Sequence, residues 1–369
     1  MLYQIFAIAL KEFQALLRDR QSRLVLIGPP IAQLLIFGYA ATFDLNNIPV
    51  AIYNQDNSQL SRQLVSKITG SPHIQLIKNV QSANEIAPLL TEKKVLMLIH
   101  IKADFSTEQV SRHSAAIQVI VDGRNSNTAL LALNYMRTII IDFNQQLIIT
   151  QGQRPPPAIV KIRSWFNPDL LSRWFIIPGI VALLTLVVPL IVTALSVARE
   201  REAGTFDQIL VTPLSPAQIL IGKSIPGIII GLLQGTVIIA LTVVWFNIPL
   251  LGNLGALYLG LCLFLLSTVG IGLMISSLSI TQQQGLMGAF LFLVPAVILS
   301  GFATPIANMP ELVQDLTYIN PMRYFLIIVR GVYLEGNSYA DLIHQFWPMT
   351  LIGLISLTFA GWLFKHRLY

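Results

Sequence analysis

Apolar and polar positions alternate along this chain in two different rhythms. From Trp174 to Ala198, and again from Ser224 to Pro310, no Asp, Glu, Lys or Arg occurs. A helix needs about 20 apolar residues to cross the hydrocarbon core of a bilayer. The 87 uncharged residues from 224 to 310 therefore have room for three crossings and their turns. The pattern predicts six transmembrane helices, over 24–43, 174–198, 224–246, 254–278, 285–302 and 346–364. Ahead of the first, Ile5, Ile8, Ala9, Phe13, Leu16 and Leu17 recur at helical spacing, with Lys11, Arg18, Arg20 and Arg23 toward the end. That predicts an amphipathic helix over 1–23 lying in the membrane interface. The stretch 24–43 is longer than a signal-peptide core and lacks a small-x-small site before Asp44, so it reads as a span.

Residues 44–173 follow the other rhythm. Period-two segments at Ile48–Tyr53, Ile74–Val80, Val95–Ile101 and Ala116–Asp122 predict strands, and Ser58–Thr69, Ser82–Glu92 and Asn127–Thr150 predict helices. Pro155-Pro156-Pro157 predicts a stiff connector, with a last strand at Ile159–Arg163. The expected fold class is thus a six-helix polytopic membrane protein with an extracytoplasmic α/β domain (44–173) inserted between the first and second spans. A domain of about 130 residues is large enough for its own core.

Composition agrees: 54% of residues are hydrophobic and 11% charged, against about 25% charged in an ordinary soluble domain. Positive charge in short segments sets topology. Segments 1–23, 199–223, 279–284 and 365–369 carry 4, 3, 0 and 2 Lys and Arg, whereas 247–253 carries none and 303–345 carries Arg323 and Arg330. Both termini are therefore expected in the cytoplasm. Outside 44–173, which holds 13 of the 24 Lys and Arg, the positive charges gather at membrane edges, and the net charge of +6 does not suggest a nucleic-acid partner.

Much chemistry is excluded. The predicted spans carry no charge, which disfavours a proton pathway built on buried carboxylates. No catalytic constellation is visible. His73, His100, His113, His344 and His366 do not stand at metal-ligand spacing with Cys262 or one another, so no metal site is expected. Gly222-Lys223-Ser224 has the tail of a phosphate loop, but Ala217 stands where its first glycine belongs and no strand precedes it. No cofactor is expected on this chain, and any energy must come from a partner.

Four segments carry a family resemblance. Arg199-Glu200-Arg201-Glu202-Ala203-Gly204-Thr205 is followed by Ile209-Leu210, Thr212-Pro213-Leu214 and Gly222-Lys223. Asn320-Pro321-Met322-Arg323-Tyr324-Phe325 precedes Arg330-Gly331. Lys11-Glu12-Phe13 precedes Arg18-Asp19-Arg20, and Asp122-Gly123-Arg124-Asn125-Ser126-Asn127-Thr128-Ala129 opens the longest helix of the α/β domain. In this order and topology they resemble the type-2 permeases of ATP-binding-cassette exporters, closest to the bacterial multidrug-efflux type. The resemblance covers the whole chain.

The resemblance implies a permease subunit of the inner membrane, not itself an enzyme, which pairs with an identical or homologous permease and a separate ATPase. ATP and magnesium would be bound by that ATPase, and a periplasmic adaptor is a possible further partner. Segment 199–223 would be the ATPase-coupling loop: Arg199, Glu200, Glu202, Gly204, Thr205, Phe206, Gln208, Ile209, Leu210 and Pro213. Its acids would sit near a helix start, and Phe206, Ile209 and Leu210 would form an apolar knob for a groove on the ATPase. The alternative is a plain charged turn. Lys11, Glu12, Arg18 and Asp19 would touch the ATPase from the interfacial helix, or hold it to the membrane surface. Pro305, Met309, Pro310, Asn320, Pro321, Arg323 and Tyr324 would shape an outer gate, with Arg323 paired to Glu311 or Asp315, or snorkelling to the interface. Gly227, Gly231 and Gly235 would allow close helix packing, at a dimer seam or within one subunit. The substrates expected are amphiphilic drugs or other hydrophobic compounds. The alternative function is an ATPase-driven scaffold or mechanotransmitter with no pathway of its own.

Overall fold

The computed structural model describes residues 2–18, 20–40, 45, 47–112, 115–150, 165–168, 171–206 and 214–366. The chain forms two units, Phe43–Arg163 and the remainder.

In the first unit, strands β1 (Ile48–Asn54), β2 (Ile74–Asn79), β3 (Met97–Ile101) and β4 (Ile117–Val121) form one sheet in the order β2-β1-β3-β4. β1 runs parallel to β2 and β3, and β4 is antiparallel to β3. The central strands are buried on both faces, as their near-continuous apolar character requires. Val50, Ile52, Met97 and Ile99 pack with Leu64 and Ile68 of α3 (Gln59–Thr69) and Ala132, Met136 and Phe143 of α6 (Ser126–Thr150). Ala51 and Leu98 turn to the other face and meet Leu89 of α4 (Ile86–Thr91). Ser58 caps α3 by accepting from the Ser61 amide. Asp56 accepts from the hydroxyls of Ser58 and Ser106, tying the β1–α3 turn to α5 (Phe105–Arg112). Burial alone would raise the Asp56 carboxyl's pKa; the hydrogen bonds from Ser58 and Ser106 outweigh it and lower the pKa. The expected connector at 155–157 and strand at 159–163 lie outside the described residues.

The second unit begins with α1 (Leu2–Arg18) and α2 (Arg20–Ala40). Four helices among the described residues are long and apolar enough to cross a bilayer: α7 (Ser172–Glu202), α8 (Pro216–Val244), α9 (Leu254–Leu278) and α13 (Tyr339–His366). The span expected at 285–302 is shorter. Here α10 (Gln282–Ile298) has 17 residues and gives way to Gly301 at φ +86°. At 1.5 Å per residue it is about 26 Å long, just under the hydrocarbon thickness. The apolar windows of α7 and α9 are each 72% buried, against 44% in α8 and 33% in α13, so the first two are the central helices. Ile180 and Leu184 of α7 share a core with Leu261 and Phe264 of α9 and with Phe325 and Ile328 of α12 (Pro321–Arg330), where Phe264 and Phe325 stack at 4.4 Å. Buried hydroxyls in these helices bond back to the carbonyl one turn earlier, as Thr185 does to Val181 and Thr268 to Phe264. Cys262 is exposed on α9.

Between α10 and α12, prolines keep the backbone in short pieces. Pro305 precedes a 3₁₀ turn (Ile306–Asn308), and Pro310 precedes α11 (Glu311–Leu316). After α12 a π-turn (Gly331–Glu335) is pinned to the α8–α9 loop, since Gly252 N–H donates to the Val332 carbonyl at 2.8 Å.

Candidate functional site

The charged segment after the second predicted span does not start a helix of its own. Arg199-Glu200-Arg201-Glu202 contains only good helix formers, so α7 runs through it and stops where glycine first permits. Gly204 has φ +68°. Its N–H donates to the Arg201 carbonyl at 3.1 Å, and the Thr205 N–H donates to the Glu200 carbonyl at 3.0 Å. This pair of bonds is a Schellman stop. Glu200 and Glu202 therefore sit at a helix C-terminus, correcting the expectation of a helix start. An acid there opposes the helix dipole and needs a compensating partner.

Both acids have one. Glu202 Oε2 accepts from the Gln282 N–H at 2.7 Å, which places its charge at the N-terminus of α10. Glu200, 8% exposed, enters a cluster of charges. Lys223 Nζ lies 2.6 Å from Glu200 Oε2 and 2.6 Å from Glu12 Oε1, and donates to Ser196 Oγ at 3.3 Å. Lys11 Nζ meets Glu200 Oε1 at 3.0 Å. Two lysines balance two glutamates, and the ammonium of Lys223, with three donors, is surrounded by three oxygens. The cluster joins α1, α7 and α8.

Lys223 lies two turns inside α8 with a side chain 1% exposed, so a helix read as uncharged carries a buried cation. Gly222 lets α1 come close enough: a Cβ there would stand 2.7 Å from Ile8 Cγ2. Ser215 caps α8 in a reciprocal capping box with Gln218, Pro216 takes the first helical position, and Gln218 donates to Gln4 of α1 at 3.3 Å.

The other predicted loop residues separate into two groups. Phe206 is not a free knob. It is 9% exposed, meets Phe364 edge-on at 5.7 Å, and lies under the Arg201 guanidinium at 4.9 Å. An aromatic side chain beside an apolar pocket of its own chain is buried there rather than held out. Arg201 itself donates to the Ser277 and Ser279 carbonyls at the end of α9. Arg199 is half-buried, and the Thr205 hydroxyl donates to the Glu200 carbonyl at 3.3 Å. Gln208, Ile209, Leu210 and Pro213 lie outside the described residues, as does Asp19. On α1, Glu12 turns inward to Lys223 and Lys11 reaches Glu200, while Arg18 is exposed at the helix end.

Gly227, Gly231 and Gly235 seat α8 against α7 and α9 of the same chain. A Cβ at Gly231 would stand 2.3 Å from Leu265 and 2.9 Å from Pro189; at Gly227 and Gly235 it would meet Thr193 and Leu261.

In the 303–335 region, Asn320 caps α12 by accepting from the Met322 N–H at 3.0 Å and donates to the Ala296 carbonyl at 2.6 Å, with Pro321 next at the first helical position. Met309 follows the 3₁₀ turn and accepts through its carbonyl from Gln314. The pairing of Arg323 with Glu311 or Asp315 does not form. Arg323 donates to Thr317 Oγ1 and lies over the Tyr318 ring at 4.1 Å, while Tyr324 Oη donates to the Tyr318 carbonyl at 2.8 Å. A guanidinium over an aromatic face gains a partner without leaving the helix surface.

Lys223, Ser196 and Arg201 were absent from the predicted site. Lys223 stood in the family motif and at the edge of an uncharged run, but nothing local marked its pairing with side chains 23 to 211 residues away.

A helical unit whose described buried charges gather where spans end is that of a multi-pass membrane protein. A family model for ABC-2 family transporter proteins matches residues 24–362, and the chain belongs to that family. It is 38% identical over 368 residues, the full length of both chains, to the probable multidrug ABC transporter permease YbhR of Escherichia coli K12. It is 35% identical to the probable multidrug ABC transporter permease YbhS of the same organism, over 90% of this chain and 89% of the other. The inner membrane transport permease YhhJ of that organism is 26% identical over 97% of this chain and 96% of its own. The resemblance read from the motifs is therefore borne out.

Proposed function

We propose that the chain is the permease subunit of an ATP-driven exporter, working as a dimer with a separate ATPase that binds ATP and magnesium. In this reading the membrane unit crosses the bilayer six times, with α2 and α10 as the two spans beyond the four long apolar helices. Both termini and the 203–215 connection face the cytoplasm, and the α/β unit lies outside, open to a periplasmic adaptor. The relatives' description as multidrug permeases supports amphiphilic or hydrophobic substrates.

The observation that carries the reading is the Lys223 cluster. It fastens α1, α7 and α8 to one another beside the connection between α7 and α8. A push on that connection cannot be absorbed by one helix end alone, because Glu200, Lys223 and Glu12 must move together or separate at high cost. The segments that meet the ATPase are then 207–213 and the exposed face of α1, while Glu12, Glu200 and Phe206 transmit from within.

The test is co-purification of the tagged permease with its ATPase from membranes. Ile209→Asp and Leu210→Asp should abolish it and leave the permease inserted at wild-type levels. Undiminished ATPase recovery with both variants would remove the coupling role from this loop.

A further inference from the structure

At the opposite end of α7 from Glu200 stands a cation of another kind. Arg330 closes α12, and its guanidinium lies over the Phe175 ring at 4.1 Å, in the first turn of α7. Its Nε and Nη2 are shut off from solvent and have no hydrogen-bond partner. Among the described residues no carboxylate pairs with it. The nearest acids in sequence are occupied: Glu335 accepts from Asn337 Nδ2 at 2.9 Å, and Asp341 from Ser338 at 2.7 Å. Nor does the side chain cap its own helix, since neither Nε nor Nη2 bonds a carbonyl.

Nε and Nη2 are the two donors on one edge of the guanidinium, the edge that receives a carboxylate or phosphate through two parallel hydrogen bonds. An unpaired arginine in a membrane unit is costly, and such residues mark functional paths. The ring of Phe175 fixes the plane of the fork. The π-turn that follows, tied to the α8–α9 loop, holds the backbone in place. The residue as a whole is only partly buried, so the covered edge of the fork lies just beneath the surface.

We propose that Arg330 is an oxyanion site, receiving the carboxylate or phosphate of an amphiphile at the end of the bundle that carries the α8–α9 loop. The site rests on this geometry and is independent of the coupling reading. The headgroup of a resident anionic lipid and the anionic group of a single-chain amphiphile in transit offer the same chemistry.

Native mass spectrometry of the full-length protein in uncharged detergent tests the proposal. The probes are palmitate, its uncharged methyl ester, dioleoylphosphatidylglycerol and inorganic phosphate. Wild type should bind palmitate about tenfold or more tighter than the ester, the worth of a charge-assisted pair. Arg330→Gln should bring that ratio to about one, and Arg330→Lys, which keeps the charge and loses the fork, should fall between. Phosphatidylglycerol that co-purifies through Arg330 and resists palmitate assigns a lipid; palmitate that displaces it assigns an amphiphile in transit. Binding of inorganic phosphate lost in Arg330→Gln supports the same fork without a chain. In protein free of phosphatidylglycerol, equal preference for palmitate in wild type and Arg330→Gln overturns the site. So does a lipid-free wild type that does not distinguish palmitate from its ester, a result that needs no variant to fold.

Discussion

Lys223 and Arg330 are both cations in helices of the membrane unit, near opposite ends of α7, and their surroundings differ in kind. Lys223 is almost wholly buried and ringed by Glu12, Glu200 and Ser196. Arg330 keeps two buried donors with no acceptor and an aromatic ring on one face. A charge whose partners all come from the chain is part of the chain's own assembly. A charge left with an open fork has a partner that the described residues do not supply.

The difference can be broken first at Lys223. Lys223→Met strips Glu12 of its cation, leaves Glu200 with Lys11 alone, and should destabilise the membrane unit by about 3–5 kcal/mol. Thermal unfolding in detergent would measure it. Adding Glu200→Gln should restore part of the loss, and a strictly additive double variant would show that the two do not act as a pair. Next comes packing without charge. Gly231→Leu forces a side chain against Leu265 and Pro189, at a cost of about 1–3 kcal/mol. A neutral result would mean that charge alone seats α8. Arg330→Met should stay within about 1 kcal/mol of wild type or exceed it, because no partner is stranded and an apolar group replaces an unpaired ion. A loss as large as that of Lys223→Met would reveal an internal partner and erase the contrast. Lys11→Ala removes a pair whose lysine is 60% exposed, so the same assay should register about 0–1 kcal/mol.

The smallest effect belongs to the α/β unit, where charges are solvated. The Asp122 carboxyl, held by hydrogen bonds from the Arg124 side chain and backbone, titrates at about 2 against an ordinary 3.8. A lowered acid contributes stability above its unfolded value and loses it as pH falls toward the folded one. Between about pH 4 and pH 2 the wild type should therefore lose slightly more stability than Asp122→Asn. Parallel curves would show that the pair adds nothing to folding.

The strands were legible because each is a short β-branched and apolar run, near-continuous in the buried central pair β1 and β3, and β1 to β4 fall within two residues of their predicted bounds. Helix α5 was not, since Phe105-Ser106-Thr107-Glu108-Gln109-Val110-Ser111-Arg112 offers no apolar period. The end of α7 was misread for a related reason. A run of charges looks like an exit from the membrane, whereas the backbone follows helix propensity until Gly204. Phe206 was taken for an exposed knob because its pocket is built from Phe364 and Leu220, remote in sequence. For the same reason Lys11, Glu12 and Glu200 were read as surface groups awaiting another protein.

One feature of α9 turns these proposals into a matter of instrumentation. Cys262 is the only cysteine in the sequence, and it is exposed. A thiol-directed spin label therefore has a single address on the unaltered protein. Two copies in a symmetric pair would report one interlabel distance, and following it through nucleotide addition would time the spans against the ATPase without a single substitution.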